Sequence, residues 1–102
     1  MSGNDNVSYT VRTVTTTGTT LSANDSILVM TGTGAKAVAL QSGALAIPGR
    51  QYTVVNSGAS GNITITPAAG LIDGAATLTV APSAAATFVN DGTNWQLISV
   101  TA

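Results

Sequence analysis

The chain has 102 residues, a formal net charge of −1 and no cysteine, so we expect one small domain without disulfides or thiolate metal sites. Charged residues make up 7% of it, against roughly a quarter in an average soluble protein. The basic residues Arg12, Lys36 and Arg50 lie far apart, whereas nucleic-acid binding needs a basic stripe. No apolar run approaches the about 20 residues of a membrane span, and the N-terminus MSGNDNVSYT lacks a secretory signal. We expect neither a nucleic-acid partner nor a membrane partner.

The N-terminal part is dense in β-branched residues and predicts an extended strand from Ser8 to Thr20. Threonine and valine lose rotamer freedom in a helix but fit a pleated surface well. Residues 1–6, ahead of that strand, predict an arm. We therefore divide the chain into an N-terminal arm with the first strand, residues 1–17, and a β-sandwich domain, residues 18–102.

The middle of the chain alternates short apolar runs with turn residues. Asn24 and Asp25 predict a turn, and Ile27–Met30 predicts a buried strand. After a glycine-containing break, a short strand is predicted around Val38–Leu40, and a loop continues from it through Arg50. No segment of the chain offers the amphipathic helix of about ten residues that parallel crossovers require, so parallel doubly wound folds are disfavoured.

The second half of the chain predicts strands separated by short turns. Gln51–Asn56 and Asn62–Thr66 are strand-like and are joined by a small-residue loop. Asp-Gly pairs at 73–74 and 91–92 predict turns, the second of them in a closing hairpin. Turn signals about every 8 to 12 residues are typical of sandwiches and small barrels. We expect an all-β fold: a single small β-sandwich or barrel-like domain of antiparallel strands.

Groups for catalysis are scarce, because the chain has no histidine, cysteine or glutamate. The acids Asp5, Asp25, Asp73 and Asp91 all lie in turn-like sequence, where a short carboxylate accepts backbone N–H groups. Calcium sites gather several carboxylates in one loop, and the TGTGAK segment lacks both the lysine position and the following helix of a phosphate loop. We expect no enzymatic activity, no cofactor and no metal site.

The only tryptophan, Trp95, lies in the run NDGTNWQLISV. It is either an exposed platform that stacks a sugar ring or a base, or an anchor in a core or interface. Apolar residues on both faces near the end of this run are typical of a strand covered on both sides. We therefore expect an anchor. The predicted anchors of the core or of an interface are Trp95, Phe88, Leu97, Ile72 and Leu78.

The C-terminal half also has a recognisable order of segments: a strand NITITP, a strand-turn-strand unit LIDGAATLTV, a strand ATFVN and a closing DGTNWQLI. In this order it resembles a β-rich module of tailed-bacteriophage virion surface proteins, particularly tail and head fibres and capsid decoration proteins. The resemblance extends more loosely back to about Asp25 and so covers about three-quarters of the chain. None of these motifs is catalytic.

The resemblance implies a structural role: a compact β-module, usually trimeric, on the outer surface of a virion. A freestanding copy suits a capsid decoration, or cement, protein whose partners are its own copies in a homotrimer and the major capsid protein. We hypothesise that the N-terminal arm pairs with a strand of the capsid or of a neighbouring subunit, through Val7, Tyr9, Val11 and Arg12. The alternative is a fibre-tip or adhesion module that binds host surface glycans.

Overall fold

The computed structural model describes residues 11–21, 25–40, 48–68 and 70–101, and the fold of this part is all-β, as predicted. The strands are β1 Val11–Val14, β2 Gly18–Leu21, β3 Ile27–Met30, β4 Lys36–Leu40, β5 Gln51–Asn56, β6 Ile63–Pro67, β7 Leu78–Val80, β8 Ala85–Asn90 and β9 Trp95–Thr101. They form a five-stranded sheet A in the order β1-β3-β5-β8-β9 and a four-stranded sheet B in the order β2-β4-β6-β7.

The first six strands alternate between the two sheets as the chain advances. In sheet A, β1, β3 and β5 are parallel, and in sheet B, β2, β4 and β6 are parallel. This part of the chain therefore winds as a coil of three turns, and the predicted antiparallel arrangement is wrong for it. The reason is that residues 15–17, 31–35 and 57–62 carry the chain across to the opposite sheet instead of back into the same one. We call these three connections arches 1, 2 and 3.

The prediction of one continuous strand from Ser8 to Thr20 is wrong, because arch 1 interrupts it. Among the described residues, that segment is broken at 15–17, so that β1 belongs to sheet A and β2 to sheet B. The predicted division at residue 17 falls at the end of this arch, between two strands of the same coil. Residues 8–10 lie outside the described part of the chain.

The last three strands are antiparallel to their neighbours, as predicted. β7 pairs with β6, β8 with β5, and β9 with β8. The Asp-Gly turn at 73–74 is confirmed: both residues have positive φ angles, 52° and 74°, and Ile72 and Ala75 exchange backbone hydrogen bonds of 2.8 and 2.9 Å. Asp91 and Gly92 begin the connection between β8 and β9, so the predicted closing hairpin is also confirmed.

Period-2 alternation along the strands produces the core between the two sheets. In β4 and β6, buried and exposed residues alternate without exception, because successive side chains of a strand point to opposite faces. The buried apolar side chains are Leu21, Leu28, Met30, Val38, Leu40, Tyr52, Val54, Ile63, Ile65, Ile72, Val80, Ala84, Ala86, Phe88 and Trp95. Ile27–Met30 and the segment around Val38–Leu40 are therefore the core strands that the sequence predicted.

A buried lysine joins two arches of the coil. Lys36 is 2% exposed, and its Nζ donates to the carbonyl oxygens of Gly32 at 2.7 Å and Gly34 at 3.0 Å in arch 2. It also donates to the carbonyl oxygens of Ser60 at 3.0 Å and Gly61 at 3.3 Å in arch 3. We call these four oxygens the carbonyl cage. A buried ammonium group is costly unless its protons are hydrogen-bonded, and the cage meets that requirement without a carboxylate.

Glycine allows arch 3 to approach arch 2 closely enough for this contact. Gly61 has a φ of +82°, and a Cβ there would lie 1.9 Å from the carbonyl oxygen of Gly34. A Cβ at Gly58 would lie 2.1 Å from the carbonyl oxygen of Gly32. Side chains at these two positions would push the arches apart, so the cage requires glycine at both.

Replacing Lys36 by Met tests the cage. Met keeps much of the length of the side chain but leaves the buried carbonyl groups without their donor. We expect the free energy of unfolding to fall by about 2–4 kcal/mol, because hydrogen bonds to charged groups contribute more than neutral ones. Urea denaturation monitored by tryptophan fluorescence measures the change. A loss below about 0.5 kcal/mol, the usual size of a neutral surface substitution, would contradict the role of the cage.

The turn of the closing hairpin is organised by one carboxylate. Asp91 Oδ1 accepts the backbone N–H groups of Thr93 at 2.9 Å and Asn94 at 2.7 Å, and Oδ2 accepts Gln96 Nε2 at 2.7 Å. The bond from the Asn94 N–H, followed by those from Gln96 and Thr93, lowers the pKa of Asp91 below its ordinary value of 3.8. Each of these bonds favours the ionised form.

The depressed pKa of Asp91 gives a pH-dependent prediction. Its contribution to stability is present above the unfolded-state pKa, near 3.8, and is lost as the pH falls through the lower folded-state pKa. Asp91→Asn should lower the melting temperature at neutral pH, and this difference from the native chain should shrink in acid. Thermal melts across the acid range test this, and a difference of constant size at every pH would contradict it.

Candidate functional site

The predicted anchor residues meet inside the single chain. Trp95 is 2% exposed and Phe88 and Ile72 are fully buried, while Leu97 and Leu78 pack against this core from partly buried positions. The rings of Trp95 and Phe88 are edge-to-face at 5.6 Å between centroids, and Tyr52 lies 5.7 Å from Trp95. The indole is therefore part of the core and presents no open face on which a sugar could stack.

The predicted arm residues lie partly in the fold. Val7 and Tyr9 are outside the described residues, whereas Val11 and Arg12 belong to β1, an edge strand of sheet A. Arg12 Nε and Nη2 donate to the two carboxylate oxygens of Asp25 at 3.0 and 2.9 Å, and Nη1 donates to Thr19 Oγ1 at 2.9 Å. The guanidinium is thus engaged within the chain, whereas the side chain of Val11 is 58% exposed.

The acidic residues stand apart from one another. Within the described ranges, no group of three or more histidine, cysteine, aspartate or glutamate residues could hold a metal ion, and Asp5 lies outside these ranges. Asp25 is buried against Arg12, Asp73 forms a tight turn and Asp91 organises the closing hairpin. The converging oxygens of the carbonyl cage already surround Lys36 Nζ.

A cleft of about 430 Å³ opens beside Arg50, and no pattern in the sequence indicated it. The guanidinium lies over the Tyr52 ring, 4.8 Å from its centroid, and Nη2 donates to the backbone carbonyl of Asp25. The cleft is lined by Ser26, Ile27, Gly49, Arg50, Gln51, Tyr52 and Thr53. It therefore combines a cation, hydroxyl groups and an amide in a volume within the ordinary range of small-ligand sites.

The outer face of sheet B is built only from small uncharged residues. Its buried residues point to the core, so the alternate positions face outward, and all of them are exposed. They are Gly18, Thr20, Ala37, Ala39, Thr64, Thr66 and Thr79. We call this surface the Thr/Ala face. The register aligns these positions side by side across the strands. Since each of them carries glycine, alanine or threonine, no large side chain projects from this face of the strands.

The end of β9 differs from the sequence-based expectation that both of its faces are covered. Ile98 is 51% and Val100 47% exposed, so that expectation is wrong for the single chain. The segment Leu71–Asp73 covers the edge of β9 only at Trp95, whose N–H donates to Leu71 and whose carbonyl accepts the N–H of Asp73. The rest of the strand, through Thr101, is an edge of sheet A.

Trp95→Ala tests the position of the indole in the core. We expect the free energy of unfolding to fall by about 3–5 kcal/mol, as for other buried aromatic residues cut back to alanine. Trp95→Phe, which preserves part of the ring packing, should lose less. Circular dichroism during chemical denaturation measures both, and a Trp95→Ala protein as stable as the native chain would contradict burial of the ring.

Comparison with known proteins does not assign the chain to a family. No protein-family model matches it, and no curated protein matches it significantly. The described part of the chain also has no helix long and apolar enough to cross a membrane.

Proposed function

We propose that this protein is a structural virion protein: a trimeric capsid decoration protein that binds the outer surface of an assembled bacteriophage head and stabilises it. The resemblance of residues 25–100 to phage surface modules motivates this role. The observation in the structure that supports it most is the Thr/Ala face. Its partner in this proposal is the major capsid protein.

The Thr/Ala face suits docking onto another folded protein. A surface of exposed methyl and hydroxyl groups can approach a second surface closely, and no charge has to be desolvated when the contact forms. Threonine hydroxyls both donate and accept hydrogen bonds, so they can pair with polar groups at the edge of the contact. A homotrimer presents three such faces, and simultaneous engagement raises the overall affinity without new kinds of contact.

The core explains why binding need not deform the module. The alternate residues behind the Thr/Ala face, including Val38, Ile63 and Ile65, are buried, and the strands that carry them are tied together by ladders and by the carbonyl cage. A rigid surface loses little conformational entropy on binding. Many copies on one shell would add their contacts across capsid-subunit boundaries and so raise the resistance of the shell to heat.

A bulky charge on the Thr/Ala face tests the proposal. Thr64→Arg should leave the melting temperature close to that of the native protein, since position 64 is exposed, but should strongly reduce binding to undecorated capsids. Co-sedimentation with capsids measures occupancy, and capsid melting measures stabilisation. The matched control is Ala59→Arg, at an exposed position in arch 3, which should bind as the native chain does.

Equal capsid occupancy for both variants would overturn the docking face, and no capsid binding by the native protein would overturn the proposed function. The same assay tests the N-terminal arm through a chain that lacks residues 1–10. A longer deletion to residue 14 is unsuitable, because it removes β1 and with it the Arg12–Asp25 ion pair. If the arm contributes, the shortened chain should fold and bind capsids more weakly.

A glycan-binding adhesion module is the alternative, and the cleft beside Arg50 is the observation that favours it. Arg50, Gln51 and Ser26 provide the polar groups that recognise hydroxyl or carboxylate groups of an acidic sugar. Binding of sialylated or uronic-acid glycans by the native protein, lost in Gln51→Ala and retained in Thr64→Arg, would support this alternative over capsid decoration.

A further inference from the structure

We propose that copies of this chain associate head to tail, with strand β1 of one copy beside residues 96–101 of strand β9 in the next. This extends sheet A from one molecule into another. This pairing describes how the copies in the proposed homotrimer could contact one another. The inference rests on the edges of sheet A and does not require capsid binding.

The exposed apolar side chains are concentrated at these two edges. In the described part of the chain, four large apolar residues are exposed. Three of them lie on the two edge strands of sheet A: Val11 on β1, and Ile98 and Val100 on β9. An edge strand presents unpaired backbone groups that template pairing with another chain, and apolar side chains beside those groups add burial to the pairing.

Val100 lies on the core-facing side of sheet A, but no further strand of the described part of the chain covers it there. Val100 pairs with Ala86, which is buried, and cross-strand partners lie on the same face of a sheet. Val100 therefore points to the core side of sheet A but remains 47% exposed. A neighbouring strand would continue the core-facing surface past Val100. The half-buried Val14 of β1 supplies an apolar side chain on that same face.

Strand directions make the two edges compatible. β1 is parallel to β3 and β3 to β5, β8 is antiparallel to β5, and β9 is antiparallel to β8. It follows that β1 and β9 run in the same direction at opposite edges of one sheet. Placing β1 of one copy beside β9 of another therefore gives a parallel pair, of the kind already present in half of this sheet.

Charge does not oppose the contact. β9 contains no charged residue, and the one charged residue of β1, Arg12, is paired with Asp25. Lysine and proline, which often protect natural edge strands from such pairing, are absent from both strands. The edges do carry protective features, since segment 71–73 pairs with β9 at Trp95 and Arg12 places a charge on the core-facing side of β1. A bulge also lies near Thr87 and Phe88 in the β8–β9 ladder. The features on β9 precede residues 99–101.

Head-to-tail pairing covers more of the exposed apolar surface than pairing of β9 with another β9. The second arrangement would bury Ile98 and Val100 of both copies but would leave Val11 exposed. The first, once it closes into a ring, covers all three residues of every copy, whereas pairing of β9 with β9 covers two. A head-to-tail contact closes into a ring when the rotation per copy allows it, and such a ring has no free edge in sheet A.

Two complementary lysine variants test this arrangement. Val11→Lys damages the β1 edge, and Val100→Lys damages the β9 edge. Sedimentation equilibrium should show the native chain as a multiple of its 10.0 kDa mass and each variant alone as a monomer. An equimolar mixture of the two should form a 1:1 dimer, because each variant keeps the edge that the other has lost. Ala59→Lys, at an exposed position in arch 3, is the control and should associate as the native chain does.

Each other outcome overturns the proposal. A native chain that stays monomeric at high concentration has no such interface. A Val11→Lys protein that associates normally, while Val100→Lys does not, would show β9 pairing with β9. Association of both variants alone would place the contact elsewhere. If Val100→Lys fails to fold, Val100→Thr, which keeps the shape of the side chain, should raise the dissociation constant several-fold. Capsid binding is measured separately, so its failure would leave this result standing.

Discussion

The contact between the ammonium group of Lys36 and the carbonyl cage joins arches 2 and 3 of the coil. Parallel strands cannot be joined by tight hairpins, so each turn of this coil needs an arch that crosses between sheets. Those arches expose carbonyl groups that no strand ladder satisfies. One lysine supplies donors to two arches at once, and glycine at 58 and 61 lets the arches approach it.

The surfaces follow from this arrangement. Because the stacked strands are aligned in register, each face of a sheet repeats the same kind of side chain from strand to strand. The core receives the larger residues, including Leu21, Leu40 and Ile65, while the outer face of sheet B receives only glycine, alanine and threonine. Sheet A has two edge strands, β1 from the coil and β9 from the closing hairpin, and their apolar residues Val11 and Val100 are exposed. The proposed docking face and the proposed self-association edges therefore lie on different parts of the molecule.

Local patterns predicted the strands better than the way in which they pair. The strand around Val38–Leu40 and the Asp-Gly turn at 73–74 were predicted from signals that act over a few residues, and the structure has a strand and a turn at those places. The pairing of β1 with β3 and of β3 with β5 was not predicted. A glycine-containing loop such as 57–62 indicates that a strand has ended. The loop has the same sequence pattern whether the chain then returns to the same sheet or crosses to the other.

Sequence by itself determined that this chain is all-β, that Ile27–Met30 is a buried strand, and that Trp95 belongs to a closing hairpin. These properties depend on propensity, period-2 alternation and turn chemistry, which are local. Only the tertiary structure decided that the coil is parallel, that Lys36 is buried in a carbonyl cage, that Arg12 meets Asp25, and that a cleft forms beside Arg50. These features bring together residues that are distant along the chain. The free energy of such a contact depends on the distance between the two residues in space, which no local sequence pattern specifies.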